Sequence, residues 1–336
     1  MRKLCILYAA DNNYAPFMGV SMYSLFKNNI DIEEISVYAV LDNVCDDYKK
    51  KLAAIAAQFN RELYIIDSDD FNKKLEALNI PKFRGNYTTN YRLFFNTIIP
   101  DSCERLFYLD ADTIVCGSLK NILEADFEDY AAGVVYDSLG VYYKPILGFS
   151  ADIPYFNAGV LIIDVKNWKK HNVTEHIMNH IMTVRSGYCN PDQDLLNINL
   201  VNTVKILGPE YNFQPFHRAY TDDMYRKVYG FDNYYTEEQI ENARKNPIIM
   251  HTYRFLGEFP WHKNNLHPDT KLFDEYLKET PWADYEKRKT KNNSFVFKIE
   301  RCLYRLLPKL VFLHLFAVMQ KYDYEMQERK LCKKSR

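Results

Sequence analysis

Short apolar runs rich in β-branched and aromatic residues alternate with segments of helical periodicity through the first two thirds of the chain, and no other feature constrains the fold as tightly. "KLCILYA" (3–9), "ISVYAVL" (35–41), "ELYIID" (62–67), "RLFYLD" (105–110) and "NAGVLIIDV" (157–165) read as strands. Between the first three, "APFMGVSMYSLFKNN" and "DDYKKKLAAIAAQFN" place apolar residues three and four apart and read as helices. Strand and helix in alternation predict an α/β fold of right-handed βαβ units around a mainly parallel central sheet. Ligands of such sheets sit at the carboxyl ends of strands. Polar residues directly after a strand are therefore the first place to look, and Asp11, Asn13, Asp110 and Asp112 stand there.

Composition narrows the chemistry. Only 11 of 336 residues are glycine, and neither a GxxxxGK[ST] nor a GxGxxG pattern occurs, so a glycine-built phosphate loop is not expected. The seven cysteines are scattered and never in CxxC spacing, which favours reduced thiols in a cytoplasmic setting over disulfides or a zinc site. The apolar run Leu4–Ala10 leads directly into Asp11 and reads as a first strand, not a signal peptide.

The net charge of −1 conceals an asymmetry: residues 286–336 carry 14 Lys+Arg against 5 Asp+Glu, the rest 29 against 39. In this tail Val296, Ile299, Leu303, Leu306, Leu310, Leu313 and Ala317 recur at three and four residue steps, while Lys298, Arg301, Arg305 and Lys309 line another face. The pattern predicts a basic amphipathic helix broken at Pro308. Arg305, Lys309 and His314 interrupt every apolar window of the ~20 residues a membrane span needs. Two roles remain: contact with an anionic membrane surface, the favoured one, or docking of the apolar face on the domain. No nucleic-acid partner is expected.

The doublet in "LDADTIV" is ambiguous by itself. Asp110 and Asp112 can aim hard carboxylate oxygens at one Mg²⁺ or Mn²⁺ ion, serve as nucleophile and acid of a DxDxT phosphohydrolase, or be solvated loop acids. Against the phosphohydrolase, about a hundred residues precede the motif and no acidic metal motif follows it. His176 and His180 in "HIMNH" lack a third ligand and read as surface groups.

Six segments in order, "AADNNYAPF", "TTNYRLFF", "LDADTIV", "YFNAGVLIIDVKNW", "NPDQDLLN" and "HTYRFLGEFPWH", resemble the retaining glycosyltransferases of family 8 over residues 3 to 265. The resemblance implies a GT-A Rossmann-like nucleotide-diphospho-sugar transferase domain at 1–265; the remainder, 266–336, is expected to be the helical, basic amphipathic C-terminal extension read above. It implies a UDP-sugar donor with Mn²⁺ or Mg²⁺, a glycan or lipid-linked acceptor such as lipopolysaccharide, and a place in the cytoplasm, peripheral at the inner membrane face. A UDP-sugar-binding module with little turnover is the alternative.

By the same resemblance, Ala9, Asp11, Asn13 and Tyr14 would hold uracil and ribose, although Asp11 and Asn13 also suit a helix cap. Arg92 would reach the donor sugar or diphosphate, and Ala111 the ribose. Asp110, Asp112 and His251 would bind the metal, a mixed set that suits Mn²⁺ better than Mg²⁺. Asn157, Ala158, Asp137, Asp192, Gln193 and Asp194 would surround the anomeric carbon. The chain departs from the family after His251: the segment to "PW" is two residues longer and contains no lysine, and Arg254 is the substitute cation, with Lys263 further on.

Overall fold

The computed structural model describes residues 2–78, 80, 82, 85–183, 190–230 and 234–334. Among these residues nine strands form: β1 Leu4–Asp11, β2 Ile35–Asp42, β3 Glu62–Asp67, β4 Arg105–Leu109, β5 Thr113–Val115, β6 Ala132–Tyr136, β7 Phe156–Asp164, β8 Val204–Ile206 and β9 Ile249–His251. All five runs read as strands from the sequence are strands. The additional ones are three to five residues long, too short to show a period.

Seven strands make the central sheet in the order β3-β2-β1-β4-β7-β6-β8, and β5 pairs with β9 in a small antiparallel ribbon. The central sheet is mainly parallel, with β7 running against both β4 and β6. The reversal has a local cause. Between β6 and β7 the chain makes only short 3₁₀ turns, Gly140–Tyr142 and Lys144–Leu147, instead of the crossover a parallel neighbour requires.

Alternate residues of each central strand enter two different cores, as the two-residue period of a strand dictates. Leu4, Ile6, Tyr8, Phe107, Leu109, Val160 and Ile162 face one layer. Cys5, Leu7, Leu106, Tyr108, Leu161 and Ile163 face the other. Burial on both faces explains why these strands read as continuous apolar runs. The helix Ala15–Lys27 is buried through Phe26, because the segment after residue 265 covers its outer side: Phe273, Leu277 and Trp282 join the first core. Gly19 makes room for this cover, since a Cβ there would lie 2.3 Å from the Trp282 ring.

The tail forms the helices Phe295–Leu306 and Lys309–Lys334, broken at Pro308 as the sequence predicts. It docks: Phe312, Leu313 and Ala317 are buried in a third cluster with Phe216, Tyr220, Tyr225, Tyr229, Phe255 and Leu256. The apolar stripe read from the sequence is divided between two surfaces, however. Of that stripe Val296, Ile299 and Leu306 are exposed, as are Val311, Leu315, Val318 and Met319 outside it. The cysteines at 5, 45, 103, 116 and 302 are free thiols; Cys189 and the Cys332 side chain lie outside the described residues.

Replacing Trp282 by Ala is expected to lower unfolding free energy by ~3–5 kcal/mol, as for other buried tryptophans. Urea unfolding followed by circular dichroism checks this, and a loss under about 1 kcal/mol would mean that 266–285 adds little to the core.

Candidate active site

The carboxyl ends of β1, β4 and β6 and the amino end of β7 meet at one edge of the sheet. The reversal of β7 therefore brings Asn157, Ala158 and Gly159, which begin a strand, beside Asp110, which follows one. These elements border a cavity of about 420 Å³, within the range of small-molecule sites. Ala9, Asp11, Tyr14, Arg92, Asp110, Ala111, Asp112, Asn157, Asp192, Gln193, His251 and Arg254 all line it. Asn13, which is exposed, and Asp137, Ala158 and Asp194 are not among its lining residues.

Pairing of β5 with β9 sets Thr113 opposite His251 and so delivers the histidine to the carboxylates from a distant part of the chain. The backbone N–H and hydroxyl of Thr252 both donate to the Asp112 carbonyl at 2.8 Å, which pins the junction. His251 Nε2 lies 3.2 Å from Asp112 Oδ1 and 3.7 Å from Asp110 Oδ2. One ligand atom from each of the three residues falls within 4.8 Å of the others. On the far side of the ring, Nδ1 faces the Oδ1 atoms of Asn157 and Asn212 at 3.1 Å each. Two acceptors there place a proton on Nδ1, so Nε2 is the nitrogen that faces the two carboxylates. Burial disfavours a charged His251, but the hydrogen bond and charge of Asp112, with Asp110 behind it, outweigh burial and raise its pKa. Two carboxylates and an imidazole fit a borderline divalent ion.

Arg92 is buried beneath this cluster. Its Nη2 donates to Asp110 Oδ1 at 2.8 Å, its Nε to the Thr89 carbonyl at 2.9 Å, and its Nη1 to the Ala158 carbonyl. Nε also lies 3.2 Å from Asp192 Oδ2, and the guanidinium carbon sits 4.2 Å from the centre of the Tyr108 ring. Burial opposes its charge, yet Asp110, Tyr108 and Asp192 hold the pKa above the ordinary arginine value. The ion-paired arrangement and the position in the cavity wall coexist in this one side chain.

Along the helix Pro191–Asn199, the three polar residues at 192–194 face different surroundings. Burial raises the pKa of Asp192 despite Arg92. Gln193 Oε1 accepts from the Ala158 N–H at 3.0 Å, while its Nε2 donates to Tyr155 Oη at 2.9 Å and Asp137 Oδ2 at 3.3 Å. Asp137 also accepts from Asn157 Nδ2 at 3.0 Å. Asp194 is fully buried, its oxygens held by the hydroxyls of Tyr143 at 2.5 Å and Tyr155 at 2.9 Å. Burial pushes its carboxyl up to about 7, against the hydrogen bonds of Tyr143, Asn190 and Tyr155.

At the other end of the cavity, Asp11 Oδ1 accepts from the N–H groups of Asn13 and Tyr14 at 2.9 and 3.0 Å, and Oδ2 from Asn86 Nδ2 at 3.2 Å. Asp11 thus ties the turn into the following helix and also lines the cavity. The Tyr14 ring stands edge-on to Phe259 and Trp261. Arg254 is exposed at the rim, its guanidinium 5.6 Å from the Phe259 ring centre. Lys263 is exposed and outside the cavity lining. His176 and His180 belong to no metal-binding cluster among the described residues.

Several contributors carry no readable signal in the sequence. Asn212 comes from a short turn, Pro209–Asn212. Thr88 and Thr89 line the cavity, and their buried hydroxyls have no partner among the described residues. Gly159 is the clearest case, because a Cβ there would lie 2.1 Å from His251 Cε1 and 2.7 Å from Asp110 Oδ2.

The profile described as "Glycosyl transferase family 8" matches residues 5–265. The chain belongs to this family. As a family 8 glycosyltransferase it is an enzyme of group transfer, and the phosphohydrolase reading of Asp110 falls away. It is similar to the lipopolysaccharide 1,2-glucosyltransferase of Escherichia coli K12, with 28% identity over 86% of this chain and 82% of that one. General stress protein A of Bacillus subtilis is 28% identical over 84% of this chain and 96% of its own length. Among solved structures, galactosyltransferase LgtC in complex with donor and acceptor sugar analogs superposes with a TM-score of 0.66. It is 25% identical, over 83% of this chain and 96% of that one. The fold is therefore the GT-A fold of this family 8 enzyme.

Gly159→Ala tests the tight packing at the centre. Because the new methyl group cannot coexist with the His251 ring where it stands, Mn²⁺ affinity measured by calorimetry is expected to fall by about tenfold or more, with a small loss of stability, as when support of a metal ligand is removed. Unchanged affinity would show that His251 is free to sit elsewhere.

Proposed function

We propose that the protein is a metal-dependent retaining hexosyltransferase. It moves glucose or galactose from a UDP-sugar to a hydroxyl of a glycan acceptor, lipopolysaccharide or another cell-surface polysaccharide, at the cytoplasmic face of the membrane. The observation that carries this reading is the convergence of Asp110, Asp112 and His251 midway along a cavity that has Asp11 and Tyr14 at one end and Gln193 at the other. Asp11 accepts the uracil N–H, Tyr14 offers a ring to the base, and Ala9 and Ala111 approach the ribose. Arg254 answers the diphosphate, a role that guanidinium geometry suits. A divalent ion, Mn²⁺ before Mg²⁺, bound by Asp110, Asp112 and His251, would stabilise the charge that develops on departing UDP.

Retention through a covalent intermediate needs a carboxylate close to the anomeric carbon. Asp194 lies behind the cavity wall with both oxygens hydrogen-bonded, Asp192 is paired with Arg92, and an amide such as Gln193 is a weak nucleophile. The acceptor oxygen therefore attacks on the face that the diphosphate leaves. The C1–O bond to UDP breaks, a C1–O bond to the acceptor forms on the same side, and the hydroxyl proton passes to a diphosphate oxygen. Gln193 and Asn157 hold the sugar while Asp137, Tyr155 and the Ala158 N–H fix Gln193.

UDP release from UDP-glucose and UDP-galactose, assayed with Mn²⁺ and a panel of oligosaccharide and lipid-linked acceptors, tests the function. Turnover is expected to need the metal, to rise with the right acceptor, and to be lost on EDTA treatment or in Asp112→Asn and His251→Ala. Donor binding without turnover across the panel would instead indicate a UDP-sugar-binding module. Unchanged Mn²⁺-dependent binding in either variant would remove the metal assignment.

The tail supports peripheral membrane contact. No helix among the described residues is long and apolar enough to cross a membrane. Val311, Leu315, Val318, Met319 and Tyr322 nevertheless form an exposed stripe on the last helix, next to the exposed Val296 and Ile299 of the preceding one, which also exposes the basic residues Lys298 and Arg305. Apolar and cationic surface side by side suits an anionic interface. Sedimentation with phosphatidylglycerol vesicles is expected to weaken with salt and to be lost in Leu315→Glu/Val318→Glu without loss of folding. Equal binding to neutral vesicles would refute an electrostatic contribution.

A further inference from the structure

Past β9 the chain makes a tight hairpin beside the cavity. The Phe255 N–H donates to the Glu258 carbonyl at 2.8 Å, and the Glu258 N–H returns to the Phe255 carbonyl at 3.0 Å. At its tip Leu256 and Gly257 have φ values of +46° and +75°, two consecutive positive angles of the kind a type I′ turn requires. A leucine is strained there, so the turn persists only where its surroundings fix it.

Those surroundings belong to the tail. Leu256 is buried in the cluster that contains Phe312 and Leu313. The Phe297 ring lies 3.1 Å from where a Cβ of Gly257 would be. Glu258, only 1% exposed, forms an ion pair with Arg301 through one oxygen and accepts the Leu266 N–H at 3.1 Å through the other. Arg301 also donates to the Asn264 carbonyl at 2.9 Å, so one guanidinium ties both ends of the 258–264 segment. At the open end of the same hairpin, Arg254 and Phe259 line the cavity.

We infer that Glu258 and Arg301 are positioning residues for donor binding. Their ion pair, with Phe297 against Gly257, holds the hairpin so that Arg254 faces the diphosphate end of the cavity. This rests on the proposal that the cavity takes a UDP-sugar. The tip is anchored on the tail and the open ends reach the site, so a shift at the anchor is transmitted through a four-residue lever. Without Arg301, Glu258 would be a buried charge without its paired cation, left only the weaker influence of Arg305, a state that a loop relieves by moving toward water. The extended segment after His251, which lacks the family's lysine, thus carries its own support.

Full-length protein with Mn²⁺ provides the test, with UDP and uridine as paired probes. Arg301→Ala is expected to weaken UDP binding, measured by calorimetry, about tenfold or more, with uridine affinity by ligand-detected NMR changed less than about twofold, because small misplacements of positioned groups act on that scale. Arg301→Lys is expected to recover most of the loss, and Glu258→Gln to reproduce it. Should Arg301→Ala fold poorly, the Lys and Gln variants carry the comparison. Parallel loss of UDP and uridine binding, or loss of neither, overturns the inference, as does unaltered UDP binding in Arg254→Ala. A wild-type protein that binds no UDP overturns the UDP-sugar reading itself.

Discussion

The end of the sheet is organised around a balance of buried charge. Asp110, Asp112 and Asp192 would repel one another at this depth, and Arg92 sits between two of them with almost no exposure. Removing one partner of such an arrangement typically costs about 3–5 kcal/mol, because the remaining charge is left without compensation. Arg92 also bonds to the carbonyls of Thr89 and Ala158, so the same guanidinium joins the 3₁₀ segment Thr88–Thr97 to the start of β7. The negative charge left over at Asp112 faces His251 and the cavity, and a cation bound there would complete the balance.

The direction of β7 has a comparable influence. Had β7 run parallel to β4, its first residues would lie at the far edge of the sheet, and Asn157, Ala158 and Gly159 would be remote from Asp110. Reversed, the strand supplies three different things in succession: an amide side chain for His251, a backbone contact for Gln193 and Arg92, and an absent side chain that admits the imidazole. The residues that hold the histidine and those that hold the glutamine are thus adjacent in sequence, which couples the Asp110–Asp112–His251 cluster to the surroundings of Gln193.

This division explains what could be read in advance. The strands and the first two helices were legible because both faces of the central sheet are buried, so burial writes itself as apolar runs. Asp11, Asp110 and Asp112 were legible because they follow such runs. His251 emerged only through its resemblance to a known pattern, since a three-residue strand has no period and β5 and β9 are far apart in sequence, Thr113 pairing with His251. Asn212, Gly159 and Arg301 stayed hidden for a common reason. Each acts through a contact distant in sequence, and nothing in its neighbours distinguishes a supporting asparagine, glycine or arginine from an ordinary one.

The tail shows the limit of reading amphipathicity from one helix at a time. Its apolar residues form one continuous pattern in sequence, but the break at Pro308 folds the two helices together and divides that pattern. Phe312, Leu313 and Ala317 turn inward, whereas Val296, Ile299 and Val318 stay on the surface. Docking and surface contact are therefore compatible, since different residues serve each. The basic residues divide in the same way: Arg301 reaches inward to Glu258 and Lys309 donates to the Ala219 carbonyl, while Lys298 and Arg305 remain exposed. An excess of positive charge that looks uniform in the composition thus contains internal struts as well as outward-facing cations, and removal of the whole tail would perturb both at once.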